Sequence, residues 1–313
     1  MSNVHQPTNR PILIAGPTAS GKSALAMALA EELGGLIINV DSMQVYAELR
    51  ILTARPSVED EARLPHALFG HVPAREAYSA GRFLTDAAAA LNEATAAGLR
   101  PIFVGGTGLY FKALLEGLAP IPDVAMDIRQ HWRDQASRVG AAALHGVLAE
   151  RDPGMAARLS AEDTQRIVRA LEVLDGSGRS LAYWQAQPCV PLVQPDDALR
   201  LVMMPDRDVL HRRADARLDA MVASGGIEEA GRLAALQLDG NLPAMRAIGV
   251  APLAAVARSE IELADAILGA KTETRQYIKR QQTWIKRHMI TWRRFSSQEM
   301  EINIADAMSF IQS

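Results

Sequence analysis

Cysteine is nearly missing from the sequence, since Cys189 is the only one among 313 residues. A single thiol cannot form a disulfide within the chain, and no Cys and His residues recur at the spacing of a zinc site. Disulfide scaffolds and structural zinc domains are therefore excluded. The scarcity of thiols agrees with a reducing cytoplasm, where we expect the chain to act.

Long apolar runs and a large net charge are also lacking. No stretch reaches the roughly 18 apolar residues of a membrane span, and the N-terminus is short and polar, so we expect no signal peptide and no membrane partner. Lys and Arg number 33, Asp and Glu 36, and the formal charge is −3; 49% of residues are hydrophobic. This composition excludes disordered and collagen-like chains. Taken alone, the near-neutral sum argues against a nucleic-acid partner.

The sequence does contain short apolar runs that alternate with helical patterns. The predicted strands are residues 11–16, 36–41, 101–106 and 199–204, and helices are predicted over residues 22–33 and 79–97. Strands that are apolar throughout and alternate with helices indicate an α/β fold, with a parallel, doubly wound sheet covered on both faces.

The pattern changes after residue 117. Residues 118–196 show helical patterns, a proline-rich loop and no convincing strand, so we predict an all-helical insertion that divides the core into residues 1–117 and 197–313. Within it, Ser160 and Asp163 resemble a capping box that opens a helix over residues 165–174. Beyond residue 206 the pattern predicts helices as far as residue 294 and a short strand at residues 301–304.

A phosphate-binding loop joins the first predicted strand to the first predicted helix. Residues 16–23 read GPTASGKS, which matches GxxxxGK[ST]. In such a loop the N–H groups and the helix N-terminus face phosphate oxygens, Lys adds a full charge, and Ser suits a Mg²⁺ that bridges phosphates. The loop predicts a diphosphate or triphosphate ligand and leaves the reaction open. Its predicted contacts are Gly16, Pro17, Thr18, Ala19, Ser20, Gly21, Lys22 and Ser23, with Ser23 reaching Mg²⁺ through the phosphates.

Asp41 lies 19 residues after Lys22, at the carboxyl end of the second predicted strand. Ligands of open α/β sheets bind beyond these strand ends, so Asp41 is expected to face the same crevice as the phosphate loop. Its carboxylate could act as a general base, hold a metal-bound water or cap the next helix, and position alone leaves all three open. The glycine-rich turn at residues 105–108 also has two interpretations. Its glycines could allow close approach of a ligand or another chain segment, or they could simply form a tight turn.

Resolving the charge by position reverses the inference about partners. Residues 271–294 hold eight basic residues and one acid, a local charge of +7, which leaves −10 for the rest of the chain. The basic residues recur at helical spacing and predict one strongly positive helix face, with Tyr277, Trp284 and Ile285 on the inner face. Such a face is typical of contact with phosphate backbones; the alternatives are a solvated face or pairing with acids elsewhere. A second basic cluster contains Arg207, Arg212, Arg213 and Arg217.

Six segments carry a resemblance to a known family. They are GPTASGKS at 16–23, DSMQVY at 41–46, AYSAGRF at 77–83, GGTGLYFKALLEGL at 105–118, QRIVRALEV at 165–173 and KRQQTW at 279–284. Together they resemble the bacterial tRNA dimethylallyltransferases. The first segment is found in many proteins, whereas the second and fourth at this spacing are highly specific.

The resemblance implies a P-loop NTPase-like sheet and a prenyl transfer reaction. The donor would be dimethylallyl diphosphate, and the acceptor N6 of adenosine 37 in tRNAs that read codons beginning with U. The resemblance also implies Mg²⁺ as cofactor, and a helical insertion that grips the anticodon stem-loop. We expect the chain to act as a monomer.

The same resemblance assigns roles to individual residues. Asp41 matches the residue that takes the proton from N6, and Thr18 and Arg217 match residues that bond the phosphates. The positions that match tRNA contacts are Asp41, Ser42, Met43, Gln44, Thr107, Gln165, Arg166, Ile167, Val168, Arg169, Arg246, Lys279, Arg280, Gln281, Trp284 and Arg287.

Three positions depart from the family pattern. Leu52 stands where the family has glycine and Arg55 where it has lysine, so we expect an altered loop or a narrower crevice there. Val250 stands where an aromatic residue is common. Two alternative functions are retained. A small-molecule kinase of the phosphate-loop type would not need the basic helix, and a nucleotide-gated RNA-binding protein would not need Asp41.

Overall fold

A computed structural model describes residues 10–313, so the polar N-terminal segment considered above lies outside the described residues. The described residues divide into two compact units, one formed by residues 10–115 and 192–313, the other by residues 116–191. Residues 192–196, predicted as part of the insertion, belong with the first unit: the Val193 N–H donates to the Leu114 carbonyl at 2.9 Å.

The first unit is built on one parallel sheet. Its strands are β1 (Ile12–Ala15), β2 (Gly35–Asn39), β3 (His66–Ala67), β4 (Arg100–Gly105), β5 (Leu199–Met203) and β6 (Arg293–Phe295). They lie in the order β3-β2-β4-β1-β5-β6, and every neighbouring pair is parallel. The predicted parallel α/β fold is therefore confirmed. The two short edge strands, β3 and β6, are additions to the four predicted ones.

Thirteen helices are assigned within the described residues, of which α5 to α8 lie in the unit of residues 116–191. In chain order they are α1 (Lys22–Leu33), α2 (Val58–Arg63), α3 (Ala80–Ala96), α4 (Gly108–Glu116), α5 (Met126–Arg151), α6 (Pro153–Ala156), α7 (Thr164–Ser177), α8 (Leu181–Gln185), α9 (Arg207–Met221), α10 (Ile227–Ala235), α11 (Val250–Ala257), α12 (Leu263–His288) and α13 (Met300–Gln312). No helix among residues 10–313 combines the length and apolarity of a membrane span.

The sheet is apolar on both faces because alternate strand residues point to opposite sides. Leu13, Ile38 and Phe103 belong to a core shared with α3 and α4. Ile14 and Ile102 belong to a second core shared with α1 and α13. This two-sided burial holds the carboxyl ends of β1, β2 and β4 in fixed register, and the candidate site begins at those ends.

The unit of residues 116–191 encloses an apolar core of its own. Trp132 and Leu148 from α5 pack with Ile167 and Leu171 from α7, all buried. The predicted capping box is wrong, because α7 is capped by Asp163, whose side chain accepts from the Arg166 N–H. The Ser160 hydroxyl instead accepts from the N–H of Glu162, inside the preceding turn.

The C-terminal predictions need two corrections. The strand predicted at residues 301–304 is wrong, since these residues lie in α13. Its apolar residues Ile304, Ala307, Met308 and Ile311 recur at helical spacing and pack against the second core, a period that a four-residue window cannot reveal. The long basic helix ends at His288 rather than near residue 294, and Arg293–Phe295 pairs with β5.

Candidate active site

The phosphate loop has the predicted position between β1 and α1. Ala19 adopts a left-handed backbone with φ of 65°, and the Ser20 N–H donates to the Pro17 carbonyl at 3.2 Å. The first turn of α1 has no side-chain cap, so the helix N-terminus stays open. The loop lines a cavity of about 370 Å³, together with Arg213 and Arg217 from α9. Arg213 and Arg217 are four residues apart on α9, so both face the same cavity.

Two cations at this cavity have no carboxylate partner within the described residues. Lys22 donates only to the Pro17 carbonyl, at 3.4 Å, and burial lowers the pKa of its amine to about 8, although Asp41 opposes the shift. Burial also lowers the pKa of Arg217, again opposed by Asp41. The Arg217 guanidinium has no hydrogen-bond partner within residues 10–313. Both side chains are half-buried. Because partial burial of an unpaired cation is unfavourable, these groups favour an anionic ligand.

Asp41 is positioned by Asn39, a residue that the sequence reasoning did not single out. Asn39 is 1% exposed at the end of β2. Its amide donates to the Asp41 carbonyl and accepts from the Asp41 N–H, both at 2.9 Å. An amide inside an apolar strand two residues before a carboxylate is the sequence signal that could have identified it.

The Asp41 side chain caps a turn and faces a cavity. Its Oδ1 accepts from the Met43 N–H at 2.9 Å, whereas no described residue donates to its Oδ2. The capping alternative is thus realised, but for a turn rather than a helix. Asp41, Thr18 and Arg217 line one cavity of about 260 Å³, and Arg217 also lines the phosphate-loop cavity. A carboxylate, a hydroxyl and a guanidinium therefore face the same space.

The glycine-rich turn after β4 packs within the chain. A Cβ on Gly105 would lie 2.1 Å from the Val40 carbonyl oxygen, so the close approach is by a neighbouring strand. Thr107 follows, and its Oγ1 accepts from the Ser42 N–H at 3.0 Å. The turn thereby ties the end of β4 to the residue after Asp41.

The loop that contains Leu52 is hydrogen-bonded to the buried carboxylate of Glu229, a residue that the sequence did not single out. Glu229 of α10 is 4% exposed and accepts from the N–H groups of Arg50, Ile51 and Leu52, each at 2.8 Å. The Leu52 side chain lines the cavity that holds Asp41, and its φ is not left-handed. Its place in the lining is where a side chain larger than glycine takes up space in the crevice, and a narrower crevice than in relatives with glycine stays a prediction.

The other two departures face the protein. Arg55 donates to the Tyr46 carbonyl at 3.1 Å, next to Gly70. Val250 begins α11 and is 1% exposed, so its side chain packs in the core.

The basic residues of α12 fall into two groups. Lys271 and Arg275 pair with Asp219 and Asp215 of α9, which is the alternative of pairing with acids elsewhere. Four others are exposed and have no ion-pair partner among residues 10–313; they are Lys279, Arg280, Lys286 and Arg287. Lys279 and Arg280 follow directly on Tyr277 and Ile278, which face inward.

The inner face of α12 forms part of the site. Tyr277 and Arg280 line the cavity with Asp41, and the Arg280 guanidinium lies 5.5 Å from the Tyr277 ring centre. Gln281 and Ile285 are buried, and half-buried Trp284 stacks on His288 with ring centres 4.0 Å apart. The inward orientation of this face agrees with the predicted helical spacing.

The remaining predicted tRNA contacts differ in exposure. Arg246 and Met43 line the cavity that holds Asp41. The Gln44 amide donates to the carbonyls of Thr53 and Ala54, each at 2.9 Å. In α7 the predicted residues separate by face: Gln165 and Arg166 are exposed, Arg169 bonds Glu172, and Ile167 and Val168 are buried in the core of their unit. Direct contact of these residues with tRNA stays a prediction.

The described residues offer little to a metal ion apart from the phosphate loop. No group of three or more His, Cys, Asp or Glu side chains among residues 10–313 could hold a metal. Ser23 is exposed beside the phosphate-loop cavity. One hydroxyl fits the way in which Mg²⁺ commonly binds, through a few protein atoms and the phosphates of a substrate.

Comparison with known proteins gives consistent matches over nearly the whole chain. The family model described as IPP transferase matches residues 44–288, and the one described as isopentenyl transferase matches residues 10–64. The tRNA dimethylallyltransferase of Parvibaculum lavamentivorans is 50% identical over 98% of this chain and 97% of its own length. The enzyme of the same name from Nitrobacter hamburgensis is 50% identical over 94% of this chain and 93% of its own.

Solved structures agree with the sequence matches. The full-length tRNA isopentenylpyrophosphate transferase of Bacillus halodurans aligns with a TM-score of 0.69 at 30% identity, over 97% of this chain and 96% of that one. A eukaryotic dimethylallyltransferase acting on tRNA aligns with a TM-score of 0.76 at 29% identity, over 88% of this chain and 69% of that one.

Proposed function

The chain belongs to the IPP transferase family, and from this premise we propose that it transfers a dimethylallyl group from dimethylallyl diphosphate to N6 of adenosine 37 in tRNA. The product is N6-(dimethylallyl)adenosine in tRNAs that read codons beginning with U. The observation that carries this proposal is the cavity shared by Thr18, Asp41 and Arg217, since it joins a carboxylate to a phosphate-binding site.

The reaction needs a base because the adenine amino group is a poor nucleophile, its lone pair being delocalised into the ring. The N6–C1 bond forms as the C1–O bond to diphosphate breaks, and N6 loses one proton. Asp41 takes that proton, since no described residue donates a hydrogen bond to its Oδ2. The Asn39 side chain bonds both the N–H and the carbonyl of Asp41. This fixes the Asp41 backbone, so the carboxylate is already in position before the reaction begins.

The leaving diphosphate is stabilised by cations that lack partners within the protein. Lys22 and Arg217 both line the loop cavity and bind the diphosphate there, and Thr18 contributes its hydroxyl. The pKa of Lys22 near 8 leaves most of the amine charged at neutral pH. Mg²⁺ held by Ser23 and the phosphates would supply further neutralisation of the developing charge.

tRNA approaches from the side of α12. Lys279 and Arg280 are exposed cations next to the cavity that holds Asp41, and Arg280 lines it. We assign the unit of residues 116–191 to the anticodon stem-loop, with Gln165, Arg166 and Arg169 as its contacts. The base must leave its stack to reach Asp41, at a cost of about a few kcal/mol. The enzyme acts as a monomer in the cytoplasm, where its acceptor is found.

A transfer assay tests the proposal. The protein is incubated with an unmodified anticodon stem-loop RNA, labelled dimethylallyl diphosphate and Mg²⁺, with and without ATP. Label should reach the RNA without ATP and co-migrate with N6-(dimethylallyl)adenosine after digestion. The matched control RNA carries guanosine at position 37, which lacks the N6 amine. If no label is transferred, while the γ-phosphate of ATP appears on an added small acceptor, the kinase alternative replaces this proposal.

A further inference from the structure

Gln281 is a buried amide for which the reaction described above has no use. It lies on α12 and is 6% exposed. Its Oε1 accepts from the backbone N–H of Thr18 at 2.8 Å, and its Nε2 donates to the Gly106 carbonyl at 3.1 Å. Both ends of the amide are therefore bonded within the protein. One side chain joins the phosphate loop to the turn after β4.

The fit around this amide is close. A Cβ on Gly106 would lie 2.3 Å from the Gln281 Nε2, and a Cβ on Gly108 would lie 2.1 Å from the Trp284 Nε1. Glycine at these two positions lets the turn approach α12 near enough for the hydrogen bond to form. The glycines of this turn thus serve contact with α12 as well as contact with β2.

A further set of contacts extends from Gln281 towards Asp41. Tyr277 lies one helical turn earlier, and its hydroxyl is beside the side chains of Thr107 and Gln281. Burial raises the pKa of Tyr277, and the charge of Asp41 raises it further, so the hydroxyl stays protonated. Thr107 in turn accepts from the Ser42 N–H. The ends of β1, β2 and β4 are therefore all connected to the inner face of α12.

We propose that Gln281 is a positioning residue that fixes Thr18 for the donor diphosphate and couples the RNA-facing helix to the phosphate loop. The Thr18 N–H is occupied by Gln281, so Thr18 meets the donor through its hydroxyl. This inference rests on the proposed function. Direct contact of Gln281 with tRNA, which the family resemblance implies, is the competing outcome of the test.

The test separates donor binding from RNA binding. Gln281→Met keeps the volume and removes both hydrogen bonds. It should raise the KM for dimethylallyl diphosphate about tenfold at saturating RNA, while the Kd for RNA without donor stays within about twofold. Gln276→Met, an exposed glutamine of the same helix, is the matched control and should change neither value. Thermal melting verifies that each variant is folded.

A double-mutant cycle tests whether Gln281 acts through Thr18. Once Thr18→Ala has removed the hydroxyl, adding Gln281→Met should raise the donor KM by much less than tenfold. Gly106→Ala places a methyl group against the Gln281 Nε2 and so displaces the amide from the side of the turn. It should reproduce the rise in donor KM, so the test does not depend on one variant folding.

Two results would overturn the inference. One is an unchanged donor KM in Gln281→Met, which together with a weakened RNA Kd would assign Gln281 to direct RNA contact. The other is fully additive effects in the cycle. The wild-type protein in the same assay reports on the proposed function itself. If it transfers no label, the function has failed rather than the role of Gln281.

Discussion

At the scale of single residues, the site depends on groups whose ordinary partners are missing. The Oδ1 of Asp41 accepts from the Met43 N–H in the turn that follows, and no described residue donates to its Oδ2. Lys22 and Arg217 are cations without a carboxylate partner among residues 10–313. Such groups lower the stability of a protein unless a ligand makes use of them, so they mark the position where substrate charge belongs.

Asp41→Asn is the variant that separates chemistry from structure. The Asn Oδ1 can still accept from the Met43 N–H, so the turn should persist, but the amide cannot take the proton from N6. We expect kcat to fall by about 10²–10⁴ with the Kd for RNA largely unchanged. Single-turnover transfer and RNA binding measure the two quantities. Retained turnover would remove Asp41 from the role of base.

Lys22 predicts a pH dependence of donor binding. Its pKa near 8 lies below its ordinary value, so the free enzyme loses this charge as the pH rises through 8, whereas the bound diphosphate favours the charged amine. The KM for dimethylallyl diphosphate should therefore rise between about pH 7 and about pH 9, approaching tenfold per unit above the pKa.

The control for this prediction is Lys22→Arg. A guanidinium stays charged over the whole range, so the donor KM of this variant should be nearly independent of pH even if it is higher. A profile as steep as that of the wild-type protein would assign the dependence to another group.

At the scale of elements, α12 performs two tasks on two faces. Its inner face is hydrogen-bonded to the phosphate loop and to the turn after β4 through Gln281, and its Trp284 packs against Gly108. Its outer face carries cations, of which those near the N-terminal half are paired with α9. A helix that is positive in composition therefore has only part of its charge free of ion pairs within the described residues.

This division predicts different salt dependences for two double variants. Lys279→Ala with Arg280→Ala should weaken RNA binding and lower the slope of log K against log salt, by roughly one for each phosphate that the variant no longer binds. Lys271→Ala with Arg275→Ala removes the same charge from the same helix. Because those cations pair with Asp219 and Asp215, that slope should stay unchanged. Equal slopes for both variants would contradict the assignment of the RNA-facing surface.

At the scale of the whole molecule, the chain consists of two units that each enclose an apolar core. The unit of residues 116–191 is all helical within the described residues. A unit with its own core can be destabilised locally, without loss of structure in the sheet.

Leu171→Ala tests this local stability. Leu171 is fully buried in the helical unit, and its truncation should cost about 2–5 kcal/mol there. Hydrogen exchange should accelerate at the amides of α5 and α7 and stay unchanged in β1 and β4. Leu174→Ala, at a partly exposed position of the same helix, is the matched control with a smaller effect. Uniform acceleration throughout the chain would mean that the two units unfold together.

The sequence by itself determined the features that depend on local pattern. Apolar runs that alternate with helices predicted the four central strands and a parallel sheet. GPTASGKS and Asp41 were predicted at the carboxyl ends of two of these strands, β1 and β2, which β4 separates in the sheet. These predictions succeed because backbone preferences, burial and phosphate-loop geometry are encoded over short stretches of chain. Short windows also explain the errors at residues 301–304 and 293–295, where three or four residues cannot define a period.

Only the tertiary structure decided which side chains meet. Charge counting cannot tell that Lys271 and Arg275 are paired while Lys279 and Arg280 are not. Nor can it tell that Gln281 is turned inward to Thr18, 263 positions away. The hydrogen bonds from the backbone of residues 50–52 to Glu229 likewise depend on where α10 packs. Such contacts join residues far apart in the chain, so they are set by how whole elements pack, which no local pattern contains.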